Sequence, residues 1–146
     1  MTNEQNLATA HRFMEGVLNR GDLALVDEIF DPTFIDRSAP PGVPGDREGV
    51  RRGVDAFRRA FPDLHFELAD EIADGDKVVS RIVARGTMRE SLFGLPATGK
   101  SAAWEQIHII RLLDGRILEH WSLSDDMGML RQLGLAPERA PEAATS

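Results

Sequence analysis

The chain has 146 residues, 42% of them hydrophobic, and its 17 basic and 24 acidic side chains give a formal net charge of −7. This length suits one domain with a real core. An acidic chain is a poor candidate for nucleic-acid binding, and the lack of cysteine excludes disulfides, thiolate chemistry and zinc–thiolate sites. The polar start and the lack of a bilayer-length apolar run predict a cytoplasmic protein without a membrane partner.

Helices are predicted in the first part of the chain. Thr2 with Gln5 fits a capping box, which satisfies free amides at a helix start. Apolar residues then recur at helical spacing as far as Leu18. A short second helix over about 23–30 is expected to stop at Pro32. The two helices predict an apolar stripe packed against a sheet.

A proline- and glycine-rich segment over 33–45 predicts a structured loop after a short extended piece that holds Asp36. Asp46 can cap a third helix, which Pro62 ends. Its valines and phenylalanines predict one buried face, and its later arginines, Arg58 among them, are expected mostly outside.

The periodicity changes to two from Leu64 onward, which indicates strands. A second long strand is predicted over 77–88, and a loop over 89–100. A hairpin and a short helix follow. Helices followed by antiparallel strands predict an α+β fold, with one domain over 1–135 and a flexible tail over 136–146.

The hairpin centred on Asp114 and Gly115 lies between two apolar, β-rich runs. A two-residue turn would place His108 opposite Trp121, whereas a longer loop with a bulge at Gly115 would change the parity. We prefer the bulged register because it gathers the polar residues on one face, as a pocket floor would. That face then holds Trp104, Gln106, His108, Ile110, Leu118, His120, Ser122 and Ser124.

The opposite face of the hairpin is apolar under the same register. A lone domain would leave such a face in water, so we expect a homodimer. The apolar residues of this face are Ile107, Ile109, Ile117, Trp121 and Leu123.

Several motifs resemble the SnoaL-like polyketide cyclases. They are P-T-F-I-D at 32–36, F-P-D-L-H at 61–65, G-L-P-A-T-G-K at 94–100, and E-Q-I-H…D-G-R-I-L-E-H…L-R-Q-L-G between 105 and 134. The resemblance covers nearly the whole chain. It implies the nuclear transport factor 2-like cone, a curved, mostly antiparallel sheet packed on N-terminal helices around one apolar pocket.

The resemblance also implies a chemistry. Characterised members of that family close a ring of a polyketide methyl ester by an intramolecular aldol reaction, without metal or cofactor. Their E-Q-x-H motif falls on His108 here, and the position of their acid/base aspartate, two residues after the histidine of the next strand, holds Ser122. The implied activity is cofactor-free cyclisation or isomerisation of a small or polycyclic carbonyl compound. A hydroxylase-type relative acting on an aromatic polyketide and a non-catalytic binding module stay open.

Five side chains are candidates for catalysis. Asp36 aligns with a polar pocket position, and its apolar flanks are expected to raise its pKa toward that of a useful base. His108 would donate to the developing enolate oxygen. His120 and Ser122 share its face. Asp125 is a weaker candidate because it begins the terminal helix, where an acidic side chain caps amides.

Further side chains could line the pocket and bind substrate, although apolar residues at regular spacing are usually core. Of the four histidines only His108 and His120 could meet, so neither a metal nor a cofactor is expected. The candidate substrate-binding residues are Phe13, Met14, Met88, Phe93, Trp104 and Gln106.

Overall fold

The computed structural model describes residues 2–137, so the predicted tail lies almost wholly outside the described part. No helix in that part is long and apolar enough to cross a membrane. The helical segments are α1 (Asn3–Arg12), a π-helical continuation (Phe13–Asn19), α2 (Leu25–Ile29), α3 (Arg47–Ala60) and α4 (Asp126–Gln132). The strands are β1 (Phe30–Asp36), β2 (His65–Asp74), β3 (Lys77–Thr87), β4 (Ser101–Leu113) and β5 (Arg116–Ser124).

The helix starts that capping residues predict are confirmed. Thr2 Oγ1 accepts from the Gln5 amide at 3.1 Å, and the Gln5 side chain accepts from the Thr2 amide at 2.9 Å. Asp46 Oδ1 accepts from the Gly49 amide at 3.0 Å. The first helix differs from the prediction in its last seven residues, which are wound as a π-helix.

The π-helical segment ends on the sheet. Asn19 Nδ2 donates to the Phe66 carbonyl at 3.0 Å, and Asn19 Oδ1 accepts from the Phe66 amide at 2.7 Å. Asn19 thus satisfies both backbone groups of a residue on the edge strand β2, as a further strand would. This pair of bonds fixes the end of the helical segment over the sheet.

The five strands form one curved sheet in the order β1-β5-β4-β3-β2. The β2–β3, β3–β4 and β4–β5 pairs are antiparallel, and β1 runs parallel to β5. Bulges interrupt the register of β2 and β5, and bulges bend strands. The predicted α+β architecture is confirmed; the parallel pairing of β1 with β5 was not predicted.

The hairpin brings His108 opposite Ser122, as the bulged register predicts, but for a different reason. Asp114 and Gly115 form a two-residue turn whose φ angles, 50° and 79°, are those of a type I′ turn. The bulge lies further along β5, at Leu118, and shifts the register there. The predicted longer loop was therefore wrong.

The position of this bulge corrects the prediction for Ile117. Ile117 precedes the bulge, pairs with Leu112 and is fully buried, so it belongs to the core and not to the outer face. The remaining residues predicted for the outer face lie there, and Ile107 and Leu123 are 46% and 82% exposed.

The core consists of two clusters. One lies beneath the π-helical segment, α2 and β1, and includes Val17, Phe30 and Ile117. The other lies between α3, α4 and the far strands, and includes Phe61 and Trp104. The space between the two clusters forms the candidate site.

Candidate active site

A cavity of about 450 Å³ lies between the two core clusters. Phe30 of the first cluster and Phe66 of the second both line it. Its α3 side is mostly apolar, with Val54 and Phe57, and includes one charged residue, Arg58. Its floor is polar, because the inner faces of β4 and β5 carry Gln106 opposite Ser124 and His108 opposite Ser122. Such a mostly apolar pocket with a few convergent polar groups is typical of small-molecule sites.

A chain of hydrogen bonds crosses this floor. Gln106 Oε1 lies 2.7 Å from His108 Nε2, and His108 Nδ1 lies 2.7 Å from His120 Nε2. His120 Nδ1 lies 3.0 Å from Asp36 Oδ1. We call these four residues the relay. All four line the cavity.

Asp36 reaches the relay because β1 pairs with β5 so that Asp36 and His120 are register partners. The Asp36 carboxylate also accepts from the Ser38 amide at 2.9 Å. Ser38 Oγ in turn accepts from the Ser122 amide at 2.9 Å. The loop after β1 thereby holds both the carboxylate and the neighbouring part of β5.

The carboxylate is more acidic than the sequence predicts. Burial acts to raise the pKa of Asp36, but the hydrogen bond and charge of His120, together with the Ser38 amide, hold the pKa below its ordinary value. The expectation of a raised pKa was wrong, because apolar sequence neighbours say nothing about a histidine on another strand. Asp36 is therefore ionised at neutral pH.

His108 is uncharged at neutral pH. Burial and the charge of a protonated His120 lower the pKa of His108 to about 3, against the opposing effect of the Asp36 carboxylate. A proton on His108 is therefore disfavoured.

Two proton arrangements satisfy every bond of the relay. With Gln106 Oε1 facing His108, His108 carries its hydrogen on Nε2, and His120 must donate from both nitrogens as an imidazolium paired with Asp36. With the Gln106 amide turned over, its NH₂ donates to His108 Nε2 and both histidines are neutral. The first arrangement contains one proton more than the second.

A smaller void of about 30 Å³ lies on the other side of the two histidines. Its lining includes His108, His120, Phe13, Met14 and Glu71. The imidazole rings of His108 and His120 therefore line both the main cavity and this void.

The predicted site residues fall into three places. The main cavity is lined by Asp36, His108, His120, Ser122, Gln106 and Phe13, whereas Met14 lines only the small void. Outside both lie Trp104, Met88, Phe93 and Asp125.

Three of these residues differ from the prediction, whereas Asp125 forms the helix cap that made it the weaker candidate. Trp104 on β4 and Met88, which directly follows β3, are buried in the core cluster that contains Phe61 and lie beyond the cavity. Phe93 is 51% exposed. Asp125 caps α4, accepting from the Gly128 amide at 3.0 Å.

Arg58 and Ser38 are two of the cavity residues that sequence reasoning missed. Arg58 was expected outside but lines the cavity, and its spacing of four residues from Val54 could have placed it on the same helix face. Ser38 had no such signal, because its partner Ser122 is distant in the chain. Within residues 2–137, no group of three or more acidic or histidine side chains is arranged to hold a metal ion.

Comparison with known proteins identifies the family. The model of the SnoaL-like polyketide cyclases matches residues 8–133. The chain belongs to the SnoaL-like polyketide cyclase family. A SnoaL-like relative, the aklanonic acid methyl ester cyclase DnrD of Streptomyces peucetius, is 35% identical over 99 residues, which are 62% of this chain and 68% of DnrD.

Solved SnoaL-like structures share the fold. TsrD from Streptomyces laurentii superposes with a TM-score of 0.84 at 27% identity, covering 93% of this chain and 99% of TsrD. AclR from Streptomyces galilaeus, described as a putative hydroxylase, gives 0.82 at 26% identity, covering 97% of this chain and 91% of AclR. The cone-shaped fold that the sequence motifs imply is thereby confirmed.

Proposed function

We propose that this SnoaL-like protein catalyses the intramolecular aldol cyclisation of a polycyclic polyketide carbonyl compound without a cofactor. The observation that carries the proposal is the relay, which joins a neutral histidine on the cavity floor to an ionised carboxylate through a second histidine. The methyl ester cyclase DnrD suggests a substrate of the aklanonic acid methyl ester type.

Proton abstraction starts from the arrangement in which Gln106 donates to His108. When the substrate displaces the Gln106 side chain, the freed lone pair of His108 Nε2 takes a proton from the carbon next to the substrate carbonyl, and His108 Nδ1 passes its own proton to His120 Nε2. The positive charge then lies on His120 beside Asp36. A buried histidine of low pKa can act as a base here because it gains one proton while it gives up another.

Ring closure completes the reaction. The carbanion attacks a second carbonyl carbon of the same molecule, a carbon–carbon bond forms, and the carbonyl oxygen takes the proton back from His108 as a hydroxyl group. Ser122, opposite His108, can donate a hydrogen bond to the developing oxyanion. No atom is gained or lost, so substrate and product are isomers.

Asp36 and His108 have roles that differ from those expected from the sequence. Asp36 is bound to His120 and has a lowered pKa, so it serves as the charge partner of the relay, and His108 serves as the base. This arrangement also supplies a carboxylate in the cavity although the family's aspartate position holds Ser122.

The test is conversion of aklanonic acid methyl ester, followed by chromatography with mass detection. Wild-type protein should give an isomeric product, and His108→Asn should be slower by about 100- to 10,000-fold, the usual effect of losing a general base. His65→Asn, on the exposed side of β2, is the control. Full turnover by His108→Asn would contradict the proposed base.

A hydroxylase acting on an aromatic polyketide is the second candidate. It is supported by the likeness to AclR, which carries that description, whereas Ser122 in place of the cyclase carboxylate favours the non-catalytic binding module. Oxygen uptake with a product that gains one oxygen atom, while a supplied two-electron reductant is consumed and the second oxygen atom leaves as water, would support this reaction over cyclisation.

A further inference from the structure

Arg58 differs from the other arginines of α3. Of the five arginines of this helix, Arg58 alone has no carboxylate partner among residues 2–137. The other pairs are Arg47 and Arg51 with Asp27, Arg52 with Glu48, and Arg59 with Asp55.

Arg58 instead lines the main cavity. It follows Val54 by four residues, so the two share a helix face, and both belong to the cavity wall. Among the described residues that line this cavity, Arg58 is the only lysine or arginine. The cavity therefore contains one permanent positive charge.

The guanidinium group is held in place. Arg58 Nη1 donates to the Leu18 carbonyl at 2.8 Å and to the Leu64 carbonyl at 3.4 Å. The side chain also packs closely on Gly21. A Cβ atom built on this glycine would lie only 3.0 Å from Arg58 Cδ and Nε. A guanidinium has five N–H groups, so the Nε and Nη2 hydrogens are left for another partner.

The acidic residues of the cavity do not neutralise Arg58. The Asp36 carboxylate is bonded to His120. Asp126 lies at the rim, is exposed, and makes no ion pair with Arg58 within the described part of the chain. A substrate that displaces water from the cavity would leave this guanidinium without a counter-charge, which is unfavourable unless the substrate supplies one.

We propose that Arg58 binds an anionic oxygen of the substrate, supplied by an ionised phenol or by a carboxylate other than the one that is esterified. The fixed donors of arginine suit such an oxygen and would orient the ring system relative to His108. The inference rests on the proposed cyclase function and adds a substrate class to it, namely acidic polycyclic carbonyl compounds.

The test measures binding and does not need turnover. Anthraquinone-2-carboxylate, its methyl ester and 2-hydroxyanthraquinone, above the pKa of its phenol, are titrated by calorimetry. Wild-type protein should bind the carboxylate at least about tenfold more tightly than the ester, as one charge-assisted bond implies. Tight binding of the phenolate alone would assign the anion to a phenol.

Matched variants distinguish a specific effect of Arg58 on anion binding from the effect of the protein's overall charge. Arg58→Gln should abolish the preference for the anion, Arg58→Lys should retain part of it, and Arg59→Gln, on the exposed neighbour paired with Asp55, should leave it unchanged. Because Arg58 also binds two carbonyls, unfolding curves check that each variant folds. Added salt should weaken carboxylate binding to wild-type protein and spare the ester, which tests the charge without any substitution.

Three results would overturn the inference: equal affinities for the anions and the ester, an anion preference that survives in Arg58→Gln, or binding of none of the probes. His108→Asn should keep the preference because it does not change Arg58. Loss of cyclisation with intact anion selectivity would thus reject the proposed reaction and leave the role of Arg58 standing.

Discussion

Asp36 and His120 are register partners on the parallel strands β1 and β5, and Asp36 Oδ1 lies 3.0 Å from His120 Nδ1. The two residues are 84 positions apart in the chain. This contact connects the loop-flanked carboxylate of the first half of the protein to the histidine pair of the final hairpin. The predictions below follow from this connection and from the two faces of the sheet.

Replacing Asp36 by asparagine should remove most turnover with little loss of stability. The substitution is nearly isosteric but leaves His120 without a charge partner, so we expect a loss within the range of about 100- to 10,000-fold for a disabled acid/base system. Turnover and urea unfolding are measured together. Asp125→Ala is the matched control, since it should cost about 1 kcal/mol through the lost cap and spare turnover. An inactive but stable Asp125→Ala protein would show that the wrong carboxylate had been chosen.

The free energy of unfolding should fall as the pH is lowered through the range in which His108 titrates. The pKa of His108 is about 3 in the folded protein and 6.5 ordinarily, so the unfolded chain takes up this proton first. Stability from this group is therefore complete above about pH 6.5 and is lost progressively toward about pH 3. Urea unfolding across this range should show a flatter profile for His108→Gln than for the wild type. Identical pH profiles of unfolding for the wild type and His108→Gln would contradict the lowered pKa of His108. His65→Gln serves as the control and should keep the wild-type profile.

Introducing the family's carboxylate by Ser122→Asp should raise the pKa of His108. Residue 122 lies directly opposite His108, and a carboxylate there would stabilise the protonated ring, typically by about one to three pKa units. An NMR titration of the His108 ring measures the change. Ser124→Asp, opposite Gln106, should have a smaller effect. An unchanged or lower pKa of His108 in Ser122→Asp would mean that the two side chains do not face each other.

The outer face of the sheet is predicted to form a homodimer. Leu123 and Ile107, side by side on β5 and β4, are 82% and 46% exposed. Ile72 on the edge strand β2 lies on the same face, beyond β3, and is 62% exposed. Sedimentation should show a dimer at micromolar concentration for the wild type and a monomer for Leu123→Asp, because a charge at the centre of an apolar contact is costly to bury. A wild-type protein that sediments only as a monomer would refute the prediction.

Local signals determined much of this protein. Side-chain caps at Thr2, Asp46 and Asp125 and the place of the hairpin turn, though not its length, were readable because each depends on residues within a few positions. The shared face of His108 and Ser122 was also predicted, although the bulge that produces it was placed at the turn and lies at Leu118. A bulge at the turn and a bulge at Leu118 turn the later residues of β5 to the same face. The two differ only for the residues between the turn and Leu118, such as Ile117, whose burial shows where the bulge lies.

Tertiary structure decided the chemistry of the site. The parallel pairing of β1 with β5 brings Asp36 to His120, and the resulting hydrogen bond lowers a pKa that apolar sequence neighbours predicted to be raised. Trp104 is a second example. The alternation of side chains along β4 predicts that Trp104 faces inward, but it does not predict whether Trp104 meets the cavity or the core. Periodicity specifies the face of an element, whereas the partner on that face depends on how distant elements pack.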